Sequence, residues 1–401
     1  MFREEGGRLT GLLVRRLGNF DLAEDVVQEA LVAALERWPV DGIPANPAAW
    51  LYTAARNRAL DRLRRDQNYR DKLAQLDDPT AGSYRDEPDD RLRLIFTCCH
   101  PALSREAQLA LTLRSVAGLT TTQVARAFLT TEAAIAQRIV RAKRKIVDAG
   151  IPYRMPDPDE LGERLGEVLA VLYLMFNEGY LASGDGPSHR SELAEDAAWL
   201  AGLMVHLMPD EPECWGLLAL MRLHLAREAS RFDGRGRLVR LRDQDRGRWD
   251  RQMIGEAVGM LTRAARLRRP GPYQVQAAIA ACHAEAPSFE ATDWTEVLAL
   301  YGELLKFVDS PVVRLNRAVA LAEVDGPAKA LAELDALAAE LADYHLFHAT
   351  VAEMFDRLGR GAEADAARRE ALRLTTNEAE QQLLREQLED VDFAASRSSP
   401  G

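Results

Sequence analysis

The chain has 401 residues, 47% of them hydrophobic and 28% charged, with a formal net charge of −11. That length holds roughly two to three domains with substantial cores, whereas no run is long and apolar enough for a membrane span and the acid-bearing start does not read as a signal peptide, so the cytoplasm is the expected home. The charge is divided: residues 1–150 carry 23 Lys and Arg against 20 Asp and Glu, and the remainder carries 28 against 42. A mildly basic front suits a polyanion, and an acidic rear suits a protein partner or an intramolecular contact that shields the front.

Helical periodicity dominates and turn signals punctuate it at short intervals, which predicts an all-α protein. A first helix ends near Gly18. Asp21, followed by Glu24, opens a second as an N-cap acid with a carboxylate three residues on. Its apolar positions are Leu22, Val26, Ala30 and Ala33, which leaves Asp25, Gln28, Glu29 and Val32 free to meet a partner. Trp38 and Pro39 close it, and residues 39–47 form a short rigid loop.

Residues 46–65, NPAAWLYTAARNRALDRLRR, again have helical spacing. Leu51, Tyr52, Ala55, Ala59 and Leu63 make a core stripe, and Trp50, Ala54, Asn57, Asp61 and Arg64 fall opposite. Arg56, Arg58, Arg62 and Arg65 border the second face. A ring among arginines suits unstacked bases; the other reading packs Trp50 under a neighbouring helix. Residues 71–91 are polar, acidic and broken by Pro79, Gly82 and Pro88, a linker composition.

A second unit follows. Ser104 caps a helix that stops at Gly118, and Thr120 with Gln123 forms a capping box, Leu119 stapling to Val124. That short helix reaches Phe128, and after a turn over residues 129–131 another helix runs to about Val147. This is a helix-turn-helix pattern. In the last helix Ile135, Ile139, Ala142 and Ile146 face inward, while Ala133, Gln137, Arg141 and Arg144 face outward with Arg138, Lys143 and Lys145 beside them. Five positive charges and no acid occupy positions 138–145. Small and amide residues early with arginines later are what a groove-reading helix needs, the alternative being a solvated basic face.

The strings DLAEDVVQEALVAALERW, NPAAWLYTAARNRALDRLRR and LTTTQVARAFLTTEAAIAQRIVRAKRKI, in that order around an acidic linker, resemble regions 2 and 4 of the extracytoplasmic-function group of bacterial RNA polymerase sigma factors. The resemblance covers about residues 1–150 and implies region 2 over residues 1–70 and region 4 over residues 92–150. It implies that Asp25, Gln28, Glu29 and Val32 bind core RNA polymerase. It places Trp50, Thr53, Arg56, Asn57, Arg58, Asp61, Arg62 and Arg65 on the minus-ten element of promoter DNA, where strands separate. It places Thr131, Ala133, Gln137, Arg138, Arg141, Lys143 and Arg144 on the minus-thirty-five element. Such a factor contributes binding energy to the open promoter and catalyses no bond change. No cofactor is implied.

The chain departs from the short members of that group by continuing for about 250 residues. The long form resembles a subgroup with a carboxy-terminal tetratricopeptide-like extension, of which Tyr173-Leu174-Met175-Phe176-Asn177-Glu178-Gly179-Tyr180 looks like a hallmark. Residues 160–393 are read as this helical extension. Ala318, Leu321, Ala330, Leu334 and Leu337 occupy the slots of a helix-turn-helix repeat, and Ala352, Phe355, Ala364 and Ala371 recur about 34 residues on, with Arg368 breaking one slot. Asn177, Glu178, Gly179 and Tyr180 are regulatory candidates, against a plain helix end with Gly179 as left-handed cap. Residues 231–251, with Trp249, read as a charged excursion, a solvated loop or the approach to a helix, nucleic-acid contact being the minor alternative. Residues 394–401 read as a frayed tail. Cys98, Cys99, Cys214 and Cys282 have no C-x-x-C spacing, so neither a disulfide framework nor a zinc site is indicated.

Two readings of the whole remain. One is a promoter-specificity subunit with an acidic regulatory or protein-interaction domain. The other is a DNA-binding regulator or adaptor on a repeat scaffold that does not engage core polymerase; it leaves the acidic second helix and the Trp50 face without a task. An enzyme is a distant third, since no convergent nucleophile, base or paired-carboxylate set and no phosphate-binding loop is present.

Overall fold

A computed structural model describes residues 2–65, 90–128, 130–181, 187–234 and 236–397. Among them the regular structure is helical and no β-strand occurs. None of these helices is long and apolar enough to cross a membrane. The chain divides into two compact units, one of Met1–Gly179 with Glu192–Leu200 and another of Tyr180–Ser191 with Ala201–Gly401. Most of the residues read as an acidic linker lie outside the described residues.

The first unit begins with α1 (Phe2–Leu17), α2 (Phe20–Asp41) and α3 (Pro47–Arg65). Leu9, Leu13, Val26, Ala30, Leu51, Ala55 and Ala59 are buried in their common core. The cap of α2 is Asn19, not Asp21: Gly18 leaves α1 at φ 59, and the extended Asn19 accepts from the Leu22 amide at 3.1 Å. Pro39 does not end α2 either. The helix runs through it to Asp41 and stops at Gly42, whose φ of 85 suits a glycine. Asn46 accepts from the Ala49 amide at 3.0 Å, and Pro47 starts α3.

The same unit continues with α4 (Asp90–Cys98), α5 (Arg105–Ser115), α6 (Thr121–Ala127), α7 (Glu132–Asp148) and the start of α8 (Pro158–Leu181). The capping box forms: the Thr120 amide donates to Gln123 Oε1 at 2.8 Å and the Gln123 amide to Thr120 Oγ1 at 3.1 Å. Ser104 and Thr131 cap α5 and α7 by accepting from the Ala107 and Ala134 amides.

A ridge of α1 packs against this second group at helical spacing, Gly7, Gly11 and Arg15. A β-carbon on Gly7 would sit 2.7 Å from the Val116 carbonyl oxygen, and one on Gly11 2.8 Å from that of Asp90. Arg15 meets the Asp90 carboxylate at 3.2 Å. The Tyr153 hydroxyl lies 2.9 Å from the Gly11 carbonyl oxygen and 3.1 Å from that of Asp90, so it binds both backbones at once.

Helix α8 passes through Gly179 without a left-handed residue, so the expected cap there is absent. The physical reason is that Tyr180 and Leu181 continue the apolar spacing of the helix and Gly179 itself is buried within it.

The second unit contains α10 (Pro212–Leu225), α11 (Arg251–Arg266), α12 (Pro272–Glu285), α13 (Trp294–Phe307), α14 (Pro311–Val324), α15 (Pro327–Asp335), α16 (His345–Arg357), α17 (Gly361–Leu374) and α18 (Glu378–Arg397), while α9 (Pro187–Leu207) straddles the division. The repeat slots Ala318, Ala330, Leu334 and Leu337 share one buried cluster. The buried Arg368 that breaks the pattern is neutralised by Asp356 and, at 3.0 Å, by Asp365. Helix α18 extends to Arg397, past the expected start of the tail, and residues 398–401 lie outside the described residues.

Residues 231–251 form a helix approach, largely exposed or half-buried, that ends at the Asp250 cap of α11. Short 3-10 turns at Leu241–Asp243 and Arg246–Arg248 fold the segment inward, Trp249 and Arg246 are buried, and the Trp249 indole donates to Ser230 Oγ at 2.7 Å. Beside it, burial and then the arginines Arg227 and Arg231 push His224 down to about 3, and burial with Arg227 and Arg246 pushes His283 down to about 4. The unfolded chain therefore binds more protons than the folded one below the ordinary histidine value. Stability is full above about pH 6.5 and falls as pH drops toward those depressed values, by up to about 2 kcal/mol per histidine at pH 5. Denaturant melts of the wild type and of His224→Gln at pH 7 and 5 check this; equal acid sensitivity in both would remove His224 from the account.

Candidate nucleic-acid interface

The outward strip of α3 is half realised. Thr53, Asn57, Asp61 and Arg64 are exposed, but Trp50 is half-buried, its ring 5.6 Å from that of the buried Trp38 and tilted by 67°. One side of Trp50 packs on Trp38 and the remainder stays accessible. Arg56 is partly exposed, and the Arg65 side chain lies outside the described residues.

Arg58 and Arg62 need one correction: they are not free cations, because packing of α2 against α3 brings them, still partly exposed, over two acids of α2. Arg62 binds Asp25 at 2.9 Å and also Glu29, and Arg58 meets Glu29 at 3.2 Å. Asp25 and Glu29, read as polymerase contacts, and Arg58 and Arg62, read as DNA contacts, thus form one ion-pair cluster. Being partly exposed, it contributes modestly to stability. Along α2 and just past it Gln28 is half-buried, and an apolar set that sequence reasoning missed beyond Val32 is exposed. Val32, Leu35, Val40 and Ile43 are 51–84% exposed. The i, i+3 spacing of Val32 and Leu35 outside the core stripe is the available signal.

Helix α7 keeps its polarity. Ile135, Ile139, Ala142 and Ile146 are buried, and Thr131, Ala133, Gln137, Arg141 and Arg144 are exposed, with Arg138 partly so. Lys143 is the exception and a second correction: it is only 8% exposed. Its ammonium donates to Asp21 Oδ1 at 2.6 Å and to Glu24 Oε2 at 3.0 Å. Desolvation pulls its pKa down, but Glu24 and Asp21 outweigh it and the value ends above the ordinary lysine range. Glu24 also accepts from Ser115 Oγ, and Arg114 lies 3.8 Å away. The two acids with the spacing of a capping pair are instead a receptor for a lysine 119 residues along the chain.

The adjacent cysteines Cys98 and Cys99 lie inside the first unit. Both thiols are buried; burial raises Cys98 well above its usual value and Cys99 to about 11. Among the described residues no group of His, Cys, Asp and Glu could hold a metal ion.

Comparison with known proteins agrees with this layout. Sigma-70 region 2 matches residues 1–69, sigma-70 region 4 matches residues 93–146, and a family of unknown function, DUF6596, matches residues 164–265. An uncharacterized protein of Rhizobium meliloti (strain 1021) is 45% identical over 394 residues, which is 95% of this chain and 92% of that protein. The ECF RNA polymerase sigma factor SigL of Mycobacterium tuberculosis is 32% identical over 147 residues, 36% of this chain and 80% of SigL. With both sigma-70 regions matched in order and most of SigL's length covered, the chain belongs to the ECF group of sigma-70 RNA polymerase sigma factors, extended by a helical carboxy-terminal region.

Proposed function

We propose that this sigma factor grips a promoter at two points and core polymerase at a third, in the cytoplasm, and that its tetratricopeptide-like rear regulates it or recruits a protein. The observation that carries the reading is the exposed Thr131, Ala133, Gln137, Arg141 and Arg144 face of a capped, well-packed α7. Gln137 and Arg141 suit base edges in the minus-thirty-five element. Trp50, with Thr53, Asn57 and Asp61, suits strand separation at the minus-ten element, and Arg56 suits phosphate. Gln28, Val32, Leu35 and Val40 form the surface that suits core polymerase. The chain itself transforms no bond; polymerase does.

In vitro transcription on genomic fragments tests this directly. Adding the protein to core polymerase should give promoter-specific transcripts, and a factor that only shifts DNA mobility without them would be the repressor-like adaptor instead. Arg141→Ala should cost about 1–3 kcal/mol of discrimination at one minus-thirty-five position. Trp50→Ala should spare duplex binding and lower open-complex formation about tenfold or more, consistent with a stacked base worth about 1–3 kcal/mol. Unchanged permanganate reactivity in Trp50→Ala would remove the ring from promoter melting.

A further inference from the structure

One part of the second unit gathers three arginines, Arg246 buried and Arg227 and Arg231 half-buried, without ion-paired acids to match them. Arg227, Arg231 and Arg246 converge on two aromatic rings: the Arg231 guanidinium carbon lies 3.7 Å from the Tyr180 ring centroid, and those of Arg227 and Arg246 lie 5.8 and 4.6 Å from that of Trp249. Their hydrogen bonds go to neutral groups. Arg227 binds the Tyr180 hydroxyl at 3.3 Å and His224 Nδ1 at 3.1 Å, Arg231 binds the Tyr180 carbonyl at 2.6 Å, and Arg246 binds the carbonyls of His283 and, at 2.8 Å, Ala286. None of the three forms an ion pair among the described residues. Glu228 and Glu290 are the acids that act on Arg231 and Arg246 through space.

Three buried nitrogens in the cluster lack any hydrogen-bond partner: Arg227 Nε, Arg246 Nη2 and His283 Nδ1. Arg246 is only 7% exposed. Buried donor atoms that go unmet are costly and rare in native proteins, and neighbouring charges of one sign repel, so the local arrangement is short of a negative acceptor. The histidines respond in the same sense, remaining neutral at pH 7 because of burial and the adjoining arginines. Guanidinium forks match the planar or tetrahedral oxygens of carboxylates and phosphates, which supply several acceptors and the missing charge together.

We infer that Arg227, Arg231 and Arg246, closed by Tyr180 and Trp249, form a binding site for a small oxyanion, a carboxylate or a phosphate ester. This goes beyond promoter recognition and gives the extension a ligand of its own. It also gives Tyr180 a role within the candidate run ending there: its ring and carbonyl hold Arg231 in place.

Isothermal titration of the full-length protein at low ionic strength tests the site, using inorganic phosphate in one arm and succinate in the other, with chloride at equal ionic strength as blank. Saturable binding of phosphate alone assigns a phosphate ester, of succinate alone a carboxylate, and of both a general oxyanion site. Arg246→Met and Arg227→Gln should each weaken it at least tenfold. Saturating anion should raise the melting temperature of the wild type and leave that of both variants unchanged, whatever stability the variants lose with their bonds to the His283, Ala286 and Tyr180 oxygens. Absence of saturable heat with both anions in the wild type overturns the proposal, and so does binding unchanged in both variants. An equal rise in melting temperature in wild type and both variants would overturn it too, by placing the anion elsewhere.

Discussion

Replacing Glu24 with alanine is expected to destabilise the first unit by about 3–5 kcal/mol, because it strands a buried ammonium. Glu24 serves Lys143, Ser115 and Arg114 together, and Asp21, though within 2.6 Å of Lys143, is largely exposed and cannot replace it. Urea melts followed by far-ultraviolet circular dichroism measure the loss, and limited proteolysis reports whether α7 has come away from α2. Glu24→Gln should fall between wild type and alanine, since it keeps an acceptor and drops the charge. A change within about 0.5 kcal/mol would place Lys143 in water rather than between the two acids. The Lys143 contribution should be insensitive to pH near neutrality. A raised lysine pKa gives stability that is full below the ordinary lysine range and is lost only as pH climbs through the higher folded value.

Gly11→Ala should have a comparable effect by a different route. The new β-carbon would lie 2.8 Å from the Asp90 carbonyl oxygen and 2.9 Å from its carbon, both backbone atoms that cannot rotate aside. Overpacking of this kind costs about 1–3 kcal/mol and sometimes more, although alanine by itself favours a helix over glycine by up to about 1 kcal/mol. The net loss should therefore exceed what helix propensity can recover. Gly6→Ala is the control, because its β-carbon would meet only the end of the Leu31 side chain at 3.4 Å. Thermal melts of the pair should separate them by several degrees, and equal melting temperatures would mean that α1 does not press on Asp90.

Much of the front is legible in the sequence because its signals are local. The Thr120–Gln123 box, the Ser104 and Thr131 caps and the two apolar stripes of α3 and α7 all depend on residues within one or two turns. The contacts that local spacing does not announce are long-range. Asp21 and Glu24 have the spacing of a capping box, and only the fold reveals that Lys143 fills the space between them. Arg58 and Arg62 look like free cations on one helix until α2 places Asp25 and Glu29 opposite. In the rear the charged segment around Trp249 resists sequence reading for a similar reason. Its arginines turn to carbonyls and aromatic faces, which leave no pattern in composition. Asn19 is hard to pick out as a cap because Asp21, two residues on, is an equally plausible one by residue type.

The glycine ridge of α1 has a consequence for reach. The two promoter elements are named for positions about 25 base pairs apart, about 85 Å of duplex at roughly 3.4 Å per pair. A compact body the size of the first unit has a radius of gyration of only about 16 Å. For the proposed grip by α3 and α7 to reach both elements, a unit of that size would have to part Gly7 and Gly11 from Val116 and Asp90. The 24 residues 66–89 have an extended contour of roughly 80 Å, enough chain for the separation. On the proposed two-point grip, parting the ridge lowers promoter affinity about tenfold for each 1.4 kcal/mol of contact that must first be released.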